Sequence, residues 1–199
     1  MIDQYSDGMI EAVVYQRAKL GNDCCGDDYY MVRTSEYFLC AVVDGLGSGR
    51  EARRAATAAT SVIEHNHHLS GQRIIDLCNT ALVNKRGVVI TIVKIDFKVQ
   101  KIFYTNVGNT KFSLQMANGN VIRPIPTQGY LSGRKYPLVT QEYTYDNGTL
   151  FMVCSDGVSG KLDRELIEAV ETSPQLVLTE TISKCQPIKD DLTFIVGKL

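Results

Sequence analysis

The sequence predicts an α+β fold in which two packed antiparallel β-sheets are flanked by helices, an αββα sandwich. Short apolar runs with strand character recur along the chain, and two helical stretches follow one another with no strand between them. The last third returns to helix before a closing strand. Strands grouped on either side of a helix pair, instead of alternating with single helices, imply antiparallel sheets with the helices packed outside. At 199 residues and 44% hydrophobic side chains, with no repeat and no linker-like stretch, the chain reads as one domain over 1–199.

The first strands are signalled at 9–16, 29–33 and 37–43. Over 48–68, Ala52, Ala55, Ala56, Ala59, Val62 and Ile63 recur at helical spacing, an Ala-rich stripe that permits close backbone approach. Over 71–85, Ile74, Leu77, Cys78, Ala81 and Leu82 share a helix face. Strand signals then crowd together at 88–97, 101–107, 111–116, 120–123, 141–145 and 149–155. Asn118-Gly119 and Asn147-Gly148 are read as hairpin turns, since both residues tolerate positive φ. Helices are expected at 161–171 and 174–184, and a last strand at 192–196.

Composition narrows the function. Lys and Arg number 21 against 22 Asp and Glu, a balance without the basic excess of a nucleic-acid binder. No apolar run reaches the ~20 residues of a membrane helix. Residues 1–10 carry acids and Tyr where a secretory signal has positive charge and then an apolar stretch. A soluble, cytoplasmic protein with no nucleic-acid or membrane partner is expected. Cys40, Cys78 and Cys154 lie inside apolar runs, Cys24 and Cys25 are adjacent, and there is no Cys-x-x-Cys pair, so the six cysteines read as reduced structural thiols.

Four acidic positions lie at the end of an apolar strand or just before one, beside glycine or another acid. They are Asp27 in Gly26-Asp27-Asp28, Asp44 in Val43-Asp44-Gly45-Leu46-Gly47, Asp156 in Ser155-Asp156-Gly157, and Asp190 in Asp190-Asp191-Leu192-Thr193. Any one of them could simply cap a helix or start a turn. Held together by a sandwich, the four would make an all-oxygen cluster, hard enough for Mg²⁺ or Mn²⁺ and unsuited to zinc.

This series, spanning Gly26 to Thr193, resembles the motifs of the PP2C-type (PPM) metal-dependent serine/threonine phosphatases, in their bacterial sporulation and stress-response branch. The resemblance implies a centre of two ions, Mn²⁺ or Mg²⁺. Asp44 would bridge both ions and the nucleophilic water, the Gly45 carbonyl and Asp27 would help hold one ion, and Asp156 and Asp190 the other. Asp28 and Asp191 would be direct ligands or acceptors for metal-bound water, the second being the preferred reading. The implied reaction is hydrolysis of protein phosphoserine or phosphothreonine. The implied substrates are phosphorylated stressosome proteins of the RsbS and RsbR type, and the implied role is negative regulation of a general stress sigma-factor pathway. A non-catalytic module of the same fold, binding a phosphorylated or sigma-regulatory partner, is the alternative.

Two positions depart from the family pattern. Leu46 stands where many members carry His, a general acid for the leaving alkoxide. Gly21-Asn22-Asp23-Cys24 stands where many carry an Arg that clamps phosphate, and Arg17 and Lys19 lie further upstream. Loss of acid assistance is worth ~10²–10⁴-fold, so a slow enzyme that depends on docking of its protein substrate is expected. Other signals are weaker. Gly47-x-Gly49-x-x-Ala52 after a strand imitates a dinucleotide fingerprint, but a second helix follows where a second strand should. His65, His67 and His68 read as a polar helix end. Arg50, Arg53 and Arg54 read as a solvated face or a docking patch for a phosphorylated partner, and 128–136 as a loop either bordering the site or merely connecting strands.

Overall fold

A computed structural model describes residues 2–134, 137–158, 173–185 and 190–199. In chain order the elements are β1 (Ile2–Ser6), β2 (Glu11–Arg17), β3 (Asp27–Arg33), β4 (Tyr37–Gly45), α1 (Arg50–Asn66), α2 (Gly71–Ala81), β5 (Val88–Asp96), β6 (Lys101–Val107), β7 (Lys111–Gln115), β8 (Val121–Ile122), β9 (Thr140–Thr144), β10 (Leu150–Cys154), α3 (Pro174–Lys184) and β11 (Leu192–Lys198). The strands form two wholly antiparallel sheets, one ordered β1-β2-β11-β10-β7-β8 and the other β3-β4-β5-β6-β9. The predicted sandwich is the observed one. The helix expected at 161–171 lies outside the described residues.

The period of two along β4 explains the layering. Phe38, Cys40 and Val42 point between the sheets, where they meet Val14, Phe151, Val153 and Ile195. Leu39, Ala41 and Val43 point the other way, against Ala55, Ala56 and Ala59 of α1 and Ile74, Ile75 and Cys78 of α2. With both faces covered, β4 reads as a continuous apolar run and not as an alternation. On the far side, Val177 and Leu178 of α3 pack on Val13, Met152, Phe194 and Val196 of the six-stranded sheet. The stripe of alanines brings α1 down onto β3 and β4.

Two local expectations are corrected. No strand was predicted over 2–6, because Ile2-Asp3-Gln4-Tyr5-Ser6 is almost entirely exposed and lacks apolar alternation; backbone pairing with β2 makes it an edge strand. Asn118-Gly119 does turn the β7–β8 hairpin. Asn147-Gly148 also turns, with Gly148 at φ 91° and Thr149 N–H donating to the Asp146 carbonyl at 3.0 Å, but it closes no hairpin. β9 belongs to one sheet and β10 to the other, so this turn carries the chain across the sandwich. β4 and β5 are antiparallel neighbours joined through α1 and α2, which rules out the βαβ unit of a dinucleotide site. The described cysteines are all free.

Candidate metal centre at the strand ends

The site is made by register. Asp27 begins β3 and Asp44 ends β4, and they are direct partners across the antiparallel pair. Asp156 lies two residues past the end of β10, and Asp190 and Asp191 precede β11, which pairs with β10. Strand ends from both sheets therefore deliver their carboxylates to one edge of the sandwich. Glycines make the approach possible. A Cβ on Gly45 would stand 2.2 Å from the Ala52 carbonyl oxygen of α1, and one on Gly157 would stand 1.9 Å from the carbonyl oxygen of Asp191.

Asp27 is 1% exposed, and its Oδ2 has no hydrogen-bond partner. Burial raises its carboxyl to about 6, the nearby Asp191 and Asp156 charges add to this, and the Ser155 and Thr193 hydroxyls pull it partly back. Gln16 supports the arrangement through Nε2, which donates to the Asp27 carbonyl at 3.2 Å and to Thr193 Oγ1 at 3.3 Å. The Thr193 N–H in turn donates to Ser155 Oγ at 2.9 Å. Asp44 is raised further, to about 9, by burial first and then by the charges of Asp27, Asp156 and Asp190. Among the described residues no three acidic, histidine or cysteine side chains close into a finished ligand cage. The carboxylates stand near enough to repel one another, in a donor set of oxygens only. A buried, unpartnered carboxylate oxygen beside like charges is a cation-seeking arrangement, so the residues fit hard divalent ions.

The neighbouring acids divide their labour. Asp191, 5% exposed, accepts the Gly26 N–H at 2.8 Å and the Lys19 N–H at 2.8 Å, which fixes the turn that presents Asp27. Asp28 points from the other face of β3 toward α1. There it accepts the Thr60 hydroxyl at 2.7 Å and the Thr57 hydroxyl at 3.1 Å, and pairs with Arg53 at 3.3 Å. Its link to the site runs through Arg53, whose Nη1 donates to the Asp27 carbonyl at 2.6 Å. Asn109 donates to Asp156 Oδ2 at 2.8 Å. Gln16 is a residue that sequence reasoning missed, found only through its register with Thr193, and Arg53 was left as surface or a docking patch, its inward turn visible only once α1 is packed on β3. Lys19 reaches the site through its backbone N–H. Leu46 donates its N–H to the Gly87 carbonyl at 2.9 Å, and its side chain has no proton to give. The histidines stay apart from the carboxylates: His65 Nδ1 lies 2.7 Å from the Ser61 carbonyl, and His67 Nδ1 lies 2.7 Å from the Tyr37 hydroxyl.

Comparisons with known proteins agree with this fold. The family model for stage II sporulation protein E (SpoIIE) matches residues 34–199. Phosphoserine phosphatase RsbX of Bacillus subtilis (strain 168) is 35% identical over 202 residues, covering 100% of both chains. A crystal structure of RsbX in complex with magnesium superposes with a TM-score of 0.95 at 34% identity, again over 100% of both chains. A solved chain described as belonging to the bacterial stressosome, a modular system adapted to control secondary messenger signaling, gives a TM-score of 0.86 at 30% identity over 95% of this chain and 99% of that one. A fold shared from end to end, together with a family model matching most of the chain, places this protein in the stage II sporulation protein E family of PP2C-type phosphatases, alongside RsbX.

Proposed function

We propose that this protein removes phosphate from phosphoserine or phosphothreonine of stressosome proteins of the RsbS and RsbR type, with water as the nucleophile, and so acts as a negative regulator of a general stress sigma-factor pathway. The whole chain, 1–199, would serve as one catalytic unit working in the cytoplasm. Among the described residues no helix is long and apolar enough to cross a membrane. The observation that carries the reading is the buried, unpartnered oxygen of Asp27, whose residue is the strand partner of Asp44, with the strand ends bearing Asp156 and Asp190 at the same edge.

In this reading Asp44 would contribute to holding both of two Mg²⁺ or Mn²⁺ ions, Asp27 and the Gly45 carbonyl would help hold one, and Asp156 and Asp190 would hold the other. The ions, when bound, supply the acidity that gives hydroxide at neutral pH and offset the charge growing on the phosphoryl oxygens. The protein's own contribution is orientation. The Ser155 and Thr193 hydroxyls set the Asp27 carboxylate, Gln16 holds the Asp27 backbone carbonyl, Asn109 sets the carboxylate of Asp156, and Asp191 anchors the turn before β3. Water adds to phosphorus, the P–O bond to the side-chain oxygen breaks, and serine or threonine and inorganic phosphate leave. With Leu46 at the acid position, the departing alkoxide takes its proton from solvent, which makes the reaction slow.

The test is hydrolysis of p-nitrophenyl phosphate and of a phosphoserine peptide with Mn²⁺ or Mg²⁺, with and without chelator, by the wild type and by Asp44→Asn. Turnover that needs the cation and falls by at least about 100-fold in the variant, more than changes outside the ligand set usually cause, is expected. Equal turnover in both proteins ends the assignment of Asp44. Phosphopeptide binding by the metal-loaded wild type with no turnover would leave the non-catalytic binding module.

A further inference from the structure

Beside the carboxylate edge, a groove of about 750 Å³ runs along the outer face of α1 and is closed on its far side by the α2–β5 connection. Its charge is one-sided. Arg53 and Arg54 come from α1 and Lys85 and Arg86 from the connection, against the single carboxylate of Glu51. That carboxylate is already paired with Arg54, at 3.1 Å. Lys85 Nζ donates to the Ala81 carbonyl at 2.8 Å and Arg86 Nη1 to the Leu46 carbonyl at 3.3 Å. Neither has an acidic partner among the described residues, and each keeps donors for a ligand. The groove floor includes Ala58, a side chain small enough to admit a peptide backbone.

The groove is joined to the proposed catalytic edge. Arg86 leans over Gly47, where an added Cβ would be 2.5 Å from Nη1, and the Leu46 carbonyl that it grips follows directly on Asp44-Gly45. Close by, in the first turn of α1, Arg53 turns inward to the Asp27 carbonyl. We infer that this groove docks an acidic segment of the phosphorylated protein substrate, laid along α1 with its phosphorylated side chain toward the Arg86 end. The inference rests on the phosphatase reading and deepens it. Its physical basis is charge complementarity, which steers encounter and fixes register. A site with no acid at position 46 also has most to gain from binding energy collected away from the reacting phosphorus.

The experiment uses the full chain with Mn²⁺ and three substrates: a phosphoserine peptide with an acidic flank, the same peptide with a neutral flank, and p-nitrophenyl phosphate. Arg54→Glu and Lys85→Glu, both on exposed side chains, are made singly and together. The wild type is expected to prefer the acidic peptide by about tenfold in kcat/KM, mainly through KM. That preference should vanish in the double variant, and also in wild type at about 0.5 M salt. A wild type with no preference overturns the inference, as does a double variant that keeps it or one that loses activity on all three substrates equally. If wild type hydrolyses none of the three, the phosphatase reading falls, and anisotropy of the labelled acidic phosphopeptide decides the groove. Binding lost in the double variant supports docking, and equal binding overturns it.

Discussion

Asp44 has a contested environment, because the antiparallel register sets it opposite Asp27 where the half-buried β3 begins and the buried β4 ends. Its carboxyl rises to about 9 from an ordinary 3.8, through burial and through Asp27, Asp156 and Asp190. An unfolded chain at pH 8 ionises this carboxyl freely, whereas the metal-free fold must keep it protonated or tolerate the repulsion. Asp44→Asn removes that conflict. The metal-free variant should therefore be more stable than wild type at pH 8, by on the order of 1 kcal/mol or more, about 2–4 °C in Tm for a chain of this length. The gain should vanish below pH 4, where both states of the wild type are protonated. Thermal melts in chelator at the two pH values check this, and a variant less stable than wild type at pH 8 would show that Asp44 is not electrostatically strained. The four strand-end aspartates were legible in the sequence because an acid beside glycine at the end of an apolar run is conspicuous. Gln16 and the inward turn of Arg53 were not, since each matters only for what the fold brings beside it: Gln16 faces Thr193 solely because β2 pairs with β11.

At the scale of elements, the junction between α1 and α2 depends on a residue from a strand. Lys94 of β5 donates from Nζ to the carbonyls of His67, His68 and Leu69 at 3.1, 3.0 and 3.0 Å, and lies 4.0 Å from the centre of the Tyr37 ring. A cation there satisfies carbonyls left unpaired at the end of α1 and opposes the negative end of its dipole. Lys94→Met keeps the aliphatic stem and loses the donors, and should lower stability by about 1.5–3 kcal/mol. The proposed catalytic edge lies at the opposite end of β4, so hydrolysis should persist. Urea unfolding monitored by circular dichroism measures the loss, and an unchanged midpoint would mean that the capping role is idle. The polar helix end predicted from the histidines is thus finished by a lysine distant in sequence, which no local pattern could show. The long apolar strands, both alanine-striped and amphipathic helices, and the Asn118-Gly119 hairpin were legible because their periodicity is intrinsic to the segment. β1 and the crossing at Asn147-Gly148 were hidden for the opposite reason: one is held by backbone pairing alone, and the other uses an ordinary turn whose flanking strands are claimed by different sheets.

Across the whole molecule, placing four carboxylates at one edge ties stability to protons and cations together. Asp27 at about 6 and Asp44 at about 9 both lie above the unfolded value of 3.8, so between these limits the native metal-free protein holds more protons than the unfolded chain. Stability contributed by those protons is complete below pH 4 and declines as pH rises, through the value for Asp27 first and then through that for Asp44. A divalent ion held at the same edge, as proposed, would take over the protons' task and bind the native state alone. At a free concentration of 100 times its dissociation constant it adds about 2.7 kcal/mol, equivalent to roughly 5–10 °C in Tm at this chain length. Melts in chelator should show Tm falling from pH 5 to pH 9. Mn²⁺ or Mg²⁺ should raise Tm most at pH 9 and least at pH 5, where ion and proton compete for the same oxygens. The difference between cation and chelator should shrink in Asp44→Asn. A cation effect that is flat across this range, or that is as large in the variant as in wild type, would place the ion away from these carboxylates and separate the stability of the sandwich from its proposed chemistry.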